Sequence, residues 1–145
     1  MNVEAWLEQV ANLDDLINDK LAERDEIIAL SARLNPNMDG MPHGSGGVSD
    51  PVGNGAVKLV MLAHEIDKLV DQYVDLKREI NEVLMQLPAL EHIVLHRYYI
   101  KRMTIDQIAK SMGYSARQIS RIKKKGLENE KLSSHVMQKC DIIIV

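Results

Sequence analysis

Residues 104–125, TIDQIAKSMGYSARQISRIKKK, contain the pattern that decides how the C-terminal part of this 145-residue chain folds. A helix-turn-helix needs two helices that cross steeply over a turn of three or four residues. Thr104 and Ser115 stand where the two helices need their N-caps. Gly113 supplies a turn residue that tolerates a positive φ. Ala109 provides the small side chain needed where the two helices come closest. The stretch therefore predicts a helix-turn-helix.

The apolar residues of this stretch recur at helical spacing and predict helices over 104–112 and from 115 to about 127. A short helix over 90–100 precedes them, which gives a three-helix domain over 89–127. The second helix of the motif has an inward stripe that can pack against the first. The side chains expected to form this core are Ile105, Ile108, Ala109, Met112, Gly113, Ile119 and Ile122.

The outward face of the last helix of this domain carries side chains suited to double-stranded DNA. Arginine can bind guanine O6 and N7, glutamine can bind adenine N6 and N7, and alanine can contact the thymine methyl group. The predicted base-reading residues are Ala116, Arg117, Gln118, Ser120 and Arg121. Lysines and helix-cap hydroxyls better suit phosphates. The predicted phosphate contacts are Lys101, Arg102, Thr104, Ser115, Lys123, Lys124 and Lys125.

Charge is distributed unevenly along the chain, although the net charge is only −3. Residues 1–90 hold seven Lys/Arg and sixteen Asp/Glu, whereas residues 91–127 hold nine Lys/Arg and two Asp/Glu. The first segment is therefore strongly acidic and the second strongly basic. This asymmetry is typical of a protein in which one module meets phosphates and another has a different task. A solvated basic face, on a three-helix unit that binds no DNA, is the alternative interpretation.

The N-terminal half predicts a long antiparallel helical hairpin, so the fold class is all-α. Helical periodicity extends over 3–34 and from 56 to Pro88, with no proline or glycine in the first of these segments. Between them, residues 35–55 contain six glycines and three prolines and predict a loop. Its default interpretation is a flexible link. The apolar side chains Met38, Met41, Val48 and Val52 leave open an ordered loop that packs back.

The second helix of the hairpin carries an unbroken heptad stripe, which is a coiled-coil signal. The predicted oligomerisation residues are Leu59, Leu62, Ile66, Leu69, Tyr73, Leu76, Ile80, Val83 and Leu87. Val60, Val70, Val74 and Leu84 widen the apolar face beyond a two-stranded seam. We therefore expect residues 1–88 to form a hairpin that pairs with a second copy as a homodimer. Residues 128–145 follow the basic domain as a tail without a predicted structure, and its end, IIIV, has no functional account.

Composition excludes several other classes of protein. The chain is 46% hydrophobic with no phenylalanine, so its core is expected to be aliphatic. A single cysteine, Cys140, allows no internal disulfide and favours a reducing compartment. No apolar stretch approaches the roughly 20 residues needed to cross a bilayer. The acidic N-terminus is unlike a secretory signal. We expect a cytoplasmic protein that does not associate with membranes.

Candidate catalytic and metal sites are weak. His92 and His96 lie one helical turn apart, a spacing that can hold a metal, but no third ligand is evident nearby and surface or packing histidines fit better. Cys140 has no histidine partner placed by the sequence. GSGG lies in the loop and not between a strand and a helix, so it does not predict a phosphate-binding loop. We expect no enzymatic activity, no cofactor and no bound metal.

The stretch PALEHIVLHRYYIKRMTIDQIAKSMGYSARQISRIKKKGL, residues 88–127, resembles the fourth conserved region of sigma-70-type sigma factors, which reads the −35 promoter element. The whole chain resembles small phage and prophage regulators of Gram-positive bacteria, of the ArpU/RinA type. The loop MPHGSGGVSDPVGNGAVKLV, the segment VDLKREI and the motif IAKSMGYSARQISRIKKKGL carry that resemblance. It covers about residues 12–128 and implies a regulator of late phage genes, with Arg117, Gln118 and Arg121 on the recognition helix. Nothing resembles the sigma region that melts DNA, so a complete sigma factor is not implied.

Two classes of function remain open on the sequence. The first is a transcription regulator, with RNA polymerase as a second partner that only the sigma resemblance implies. The second is a phage assembly protein such as a small terminase subunit, which also joins a helix-turn-helix to a helical oligomerisation hairpin. In those proteins the DNA-binding module usually comes first and rings are typical. A bare coiled-coil interaction module is a weaker third option, because it leaves the basic segment unexplained.

Overall fold

The computed structural model of the protein describes residues 2–34 and 51–144, and within these ranges all regular structure is helical. The predicted all-α class is confirmed. The helices are α1 (Val3–Leu34), α2 (Pro51–Leu84), α3 (Ala89–Leu95), α4 (Ile105–Met112), α5 (Ala116–Leu127) and α6 (Glu130–Ile144), with a π-helical turn at His96–Ile100 after α3. No helix in the described ranges is both long enough and apolar enough to cross a membrane.

The chain divides into two compact units, which are described separately. One unit combines Met1–Asp14 with Gln72–Val145, and the other is Asp15–Asp71. The functional boundary predicted near residue 88 lies within the first unit, because the end of α2 shares a core with the helices that follow it. A division into hairpin, DNA-binding domain and tail at residues 88 and 127 remains a prediction.

The unit Asp15–Asp71 is an antiparallel pair formed by most of α1 and the first half of α2. Lys20 Nζ lies 3.1 Å from Glu65 Oε2. Nearer the loop, Gly55 is buried against Ser31, and a Cβ atom added to this glycine would lie only 3.1 Å from Ser31 Oγ. A residue near the middle of α1 thus meets one in the middle of α2, and a residue near the end of α1 meets one near the start of α2. The two helices run in opposite directions, and the predicted antiparallel hairpin is confirmed within this unit.

The start of α2 corrects the predicted loop. Helix α2 begins at Pro51 and not near Ala56, so residues 51–55 are helical. Proline is favourable at a first helical position, because the backbone N–H that it lacks would have no partner there. Close packing at Gly55 helps to explain why a residue of poor helix propensity occurs in the helix. Residues 35–50, and with them the choice between a flexible link and an ordered loop, lie outside the described residues.

The larger unit contains a mainly aliphatic core to which every long helix contributes, and the expectation of a purely aliphatic core is corrected by two buried aromatic residues, Trp6 and Tyr99. Trp6 is 1% exposed, so the single tryptophan of the chain is a core residue. The buried members of this core are Trp6, Leu7 and Val10 from α1, Ile80, Val83, Leu84 and Leu87 from α2 and the turn after it, Leu95, Tyr99 and Ile100 from α3 and its π-turn, and Leu132 and Val136 from α6.

The C-terminal tail is the main element that the sequence does not predict. Residues 130–144 form α6, and Leu132 and Val136 lie one turn apart on its buried face. Glu79 of α2 bridges to the same helix, with its carboxylate oxygens 2.9 Å from His135 Nε2 and 2.6 Å from Lys139 Nζ. Burial alone raises the pKa of the Glu79 carboxyl, but the hydrogen bonds and charges of Lys139 and His135 outweigh it and lower that pKa.

The helical tail was missed because its apolar signal is short. Among the α6 side chains that the structure describes, residues 130–139, two are buried apolar ones, and the neighbouring Met137 is exposed. The side chains of Cys140 and of the IIIV end lie outside the described residues.

The heptad stripe of α2 also needs a correction. Leu62, Ile80, Val83 and Leu87 are buried within the single chain, and the other five predicted oligomerisation residues are partly buried. At the four buried positions the stripe is covered by the chain's own helices, because α1 and, in the larger unit, α6 both pack on α2. These four buried positions are therefore not available to a second copy. Val60, Val70 and Val74, which widen the face, are the exposed ones.

Candidate nucleic-acid interface

Both helices of the helix-turn-helix begin with the same pair of capping hydrogen bonds. Thr104 Oγ1 accepts a hydrogen bond from Gln107 N at 3.2 Å, and Gln107 Oε1 accepts one from Thr104 N at 3.0 Å. In α5, Ser115 Oγ accepts from Gln118 N at 3.2 Å, and Gln118 Oε1 accepts from Ser115 N at 2.9 Å. Each pair is a capping box that satisfies two otherwise unpaired backbone donors. Both expected N-caps are present, but the part played by the two glutamines was not anticipated.

The turn between the helices depends on Gly113. Its φ is 73°, in the left-handed region where a side chain is disfavoured. Tyr114 N donates to Ala109 O at 3.0 Å and closes the C-terminal end of α4. A Cβ atom added at Gly113 would meet nothing within 4 Å, so backbone conformation and not lack of space requires glycine here.

A second buried cluster holds α4 and α5 on α3. Val94, Ile108, Ala109 and Ile119 are its buried members. The side chains that pack partly buried against them are Tyr98, Met103, Ile105, Met112 and Ile122. The structure thus brings the residues of the predicted helix-turn-helix core together, with Gly113 in the adjoining turn, and adds Val94 from the preceding helix. This cluster fixes α5 on one side and leaves its opposite side facing solvent.

Helix α5 lies close to α3 at Gly126, a residue that the sequence pattern did not single out. A Cβ atom at this position would lie 2.8 Å from Leu95 Cδ1, which is in the core. Beside it, Glu91 is 5% exposed, and its Oε1 atom lies 4.0 Å from Lys125 Nζ. Buried carboxylates are unfavourable unless a cation or hydrogen bonds compensate them. The Lys125 side chain is 82% exposed, so it compensates this carboxylate only in part.

The five predicted base-reading side chains all lie exposed on α5: Ala116, Arg117, Gln118, Ser120 and Arg121. Arg117 and Arg121 are one turn apart and present two guanidinium groups on neighbouring turns of the same face. Gln118 is already engaged, because its Oε1 accepts hydrogen bonds from Ser115 N and Ser115 Oγ. A bidentate contact with adenine would require that oxygen to leave the cap. Gln118 is therefore held in the cap, whereas both arginine side chains are exposed.

The predicted phosphate contacts have different surroundings. Lys101, Lys124 and Lys125 are exposed. Arg102 has a positive φ of 56° and donates to Asp14 Oδ2 at 3.3 Å. Lys123 is partly buried, because its ammonium group lies over the ring of Tyr98, 4.0 Å from the ring centroid. The structure does not bring these cations into one uniform surface.

Arg97 has a structural contact that charge counting alone did not reveal. Its Nη1 atom donates to Ser111 Oγ at 2.9 Å, and Ser111 Oγ donates to Ile108 O at 2.8 Å. These bonds tie the π-turn to the last turn of α4. Arg97 therefore helps to fix the angle at which the helix-turn-helix leaves the preceding helix.

The two histidines of α3 and its π-turn lie close together. Their rings are parallel to within 6°, with centroids 6.0 Å apart. Burial lowers the pKa of His96, and electrostatic interactions with His92, Lys101, Lys77 and Arg97 lower it further. These surroundings favour the neutral form of the His96 imidazole. No group of three or more His, Cys, Asp or Glu side chains converges in the described part of the chain.

Comparison with known families agrees with this geometry over the basic segment. Residues 83–129 match the family model of sigma-70, region 4, a DNA-binding helix-turn-helix associated with transcription. The matched segment runs from the last turn of α2 through α5 and contains both capping boxes. The resemblance to sigma region 4 is confirmed for this segment. No curated protein and no solved structure matches the chain.

Proposed function

We propose that this protein is a sequence-specific transcription regulator that reads a promoter or operator with α5 as its recognition helix. The observation that carries this proposal is the exposed pair Arg117 and Arg121 on a doubly capped helix-turn-helix, within the segment that matches sigma-70 region 4. Arginine is the side chain that most often makes specific contacts with guanine in the major groove. The protein acts by binding and not by catalysis.

The setting of this activity is proposed from the resemblance to ArpU/RinA-type regulators. On this proposal the chain is encoded by a phage, acts in the cytoplasm of the bacterial host and controls late phage genes. RNA polymerase is a second partner, because sigma region 4 acts next to the polymerase; this part rests on analogy. Lys101, Arg102, Thr104, Ser115, Lys124 and Lys125 supply the phosphate contacts that hold α5 in register.

Sequence selection tests the assignment of base-reading and phosphate-binding roles. Fragments of random duplex DNA that the purified protein retains are sequenced, and affinities for the preferred and for a scrambled site are compared. Arg117→Ala is expected to cost ~1–3 kcal/mol at the preferred site and to relax the sequence preference. Lys124→Ala is the matched control on the same helix, and it should weaken both duplexes equally. Equal losses on both duplexes for both variants would show that α5 does not read bases.

We further propose that two copies pair through the N-terminal helices. Val57, Val60, Met61 and Val70 are exposed on α2 within the unit Asp15–Asp71. Burial of an aliphatic side chain contributes ~1.5–3 kcal/mol, so leaving several of them in water is unfavourable. Two-fold pairing is the commonest remedy and would present two recognition helices to two half-sites.

The oligomeric state discriminates this proposal from its alternative. Light scattering at micromolar concentration is expected to give the mass of a dimer, and Val60→Asp, together with Val70→Asp, should give a monomer that remains folded. A closed ring of about eight to twelve subunits would instead favour a phage assembly protein of the small terminase type. A wild-type monomer would remove the homodimer and leave a module that reads a single element.

A further inference from the structure

Lys123 differs from the other cations of the recognition helix in where its ammonium group lies. Its Nζ atom is 4.0 Å from the centroid of the Tyr98 ring and 5.7 Å from that of Tyr99. The two rings meet edge to face, with centroids 4.9 Å apart and planes at 77°. Lys123 is partly buried, whereas Lys124 and Lys125 on the same turn are exposed.

The π-helical turn places both tyrosines against α5. Lys101 N donates to His96 O at 3.1 Å, five residues back along the chain, so the turn is wider than an α-helical one. Tyr99 is buried, and its hydroxyl donates to Glu4 Oε1 at 3.3 Å. Burial and the charge of Glu4 raise the pKa of the Tyr99 phenol, which therefore stays neutral and keeps donating. Tyr99 is thus tied by this hydrogen bond to the first turn of α1.

We propose that Lys123 is a positioning residue, which anchors the recognition helix on Tyr98 and Tyr99 and makes no contact with DNA phosphates. This inference rests on the proposed DNA-binding function. A cation over an aromatic face is attracted by the ring quadrupole, and the attraction grows when water is excluded. Because Lys123 is partly buried, its ammonium group is less accessible to a phosphate than those of the exposed Lys124 and Lys125. The lysine run at 123–125 therefore divides between one anchor and two surface cations.

Unfolding measurements on the full chain test the anchor without DNA. Lys123→Met keeps the aliphatic stem but removes the cation, and Tyr98→Leu removes the ring. Each is expected to lower the folding equilibrium constant about 2- to 30-fold, the range for a partly to fully desolvated cation–π contact. The double variant should lose little more than the larger single loss, because both changes break one interaction. Lys123→Arg and Tyr98→Phe preserve the contact, and each of these variants should be as stable as the wild-type protein.

Salt titration of DNA binding separates the anchor from a phosphate contact. Lys124→Ala is expected to reduce the slope of log affinity against log salt by ~1, as loss of one phosphate contact does. Lys123→Met should weaken binding at the preferred site and leave the slope unchanged. Lys123→Arg should bind that site with the affinity of the wild-type protein.

Two results would overturn the inference. One is a slope reduced by ~1 for Lys123→Met with unchanged stability, the signature of a phosphate contact. The other is additive stability losses for Lys123→Met and Tyr98→Leu, which would mean that the two side chains do not interact. If the wild-type chain binds no duplex at all, the proposed function fails, but the coupling between Lys123 and Tyr98 still decides the anchor.

Discussion

The affinity for duplex DNA is expected to fall by about 10³–10⁵-fold between 50 and 200 mM salt, if a dimer neutralises 6–10 phosphates through its two basic segments. Each phosphate contact releases condensed counterions, and added salt opposes that release. The basic residues are concentrated in 91–127, while residues 1–90 are acidic. The steep dependence should therefore come from the helix-turn-helix segment alone. Fluorescence anisotropy with a labelled duplex measures it directly.

A matched pair of lysine variants locates the effect. Lys58 and Lys68 are exposed on α2, outside the basic segment. Replacing both by alanine should leave the salt slope unchanged, whereas replacing Lys124 and Lys125 should reduce it by ~2, about one for each phosphate contact. A flat salt dependence for the wild-type protein would exclude a phosphate-driven mode of binding.

Leu132→Ala is expected to lower the free energy of unfolding by ~2–5 kcal/mol, because truncation of a fully buried leucine loses its transfer free energy and leaves a cavity. Leu132 is 0% exposed and packs in the core that contains Trp6, Ile80 and Leu84. The measurement is urea unfolding followed by circular dichroism. Only two residues separate α5 from α6, so the same change should also loosen the recognition helix and weaken DNA binding.

Met137→Ala provides the control within the same helix. Met137 is 68% exposed, and substitutions at exposed sites usually change stability by no more than ~0.5 kcal/mol. The two variants alter helix propensity in similar ways but differ in burial. Equal, small losses from both would mean that α6 does not belong to the core.

The helix-turn-helix segment, residues 104–127, was predictable because its determinants are local. A capping residue, a left-handed glycine and an apolar residue every three or four positions each act over a few residues. Thr104, Gly113 and Ile119 therefore have in the structure the surroundings that their spacing indicates. The all-α class and the bounds of α1 follow from periodicity in the same way.

What the sequence did not predict depends on contacts between distant segments. Leu132 and Val136 give too short a pattern to indicate a helix, and their burial depends on side chains more than 40 positions away in α2. The contact of Lys123 with Tyr98 requires a π-turn, which no local pattern indicated. The heptad stripe was identified correctly as apolar, but periodicity cannot say whether the chain itself or a second copy covers it.

The capping box of α5 has an electrostatic consequence for a helix that approaches a polyanion. The box is closed by Gln118, and the first turn of α5 contains no acidic residue. A glutamate at this position would accept the same hydrogen bond from the Ser115 backbone N–H. It would also neutralise the partial positive charge of the helix macrodipole and place a carboxylate beside the DNA backbone. With glutamine, the cap is complete and the positive end of the dipole stays uncompensated. The geometry that stabilises α5 therefore adds no repulsion toward the nucleic acid it is proposed to bind.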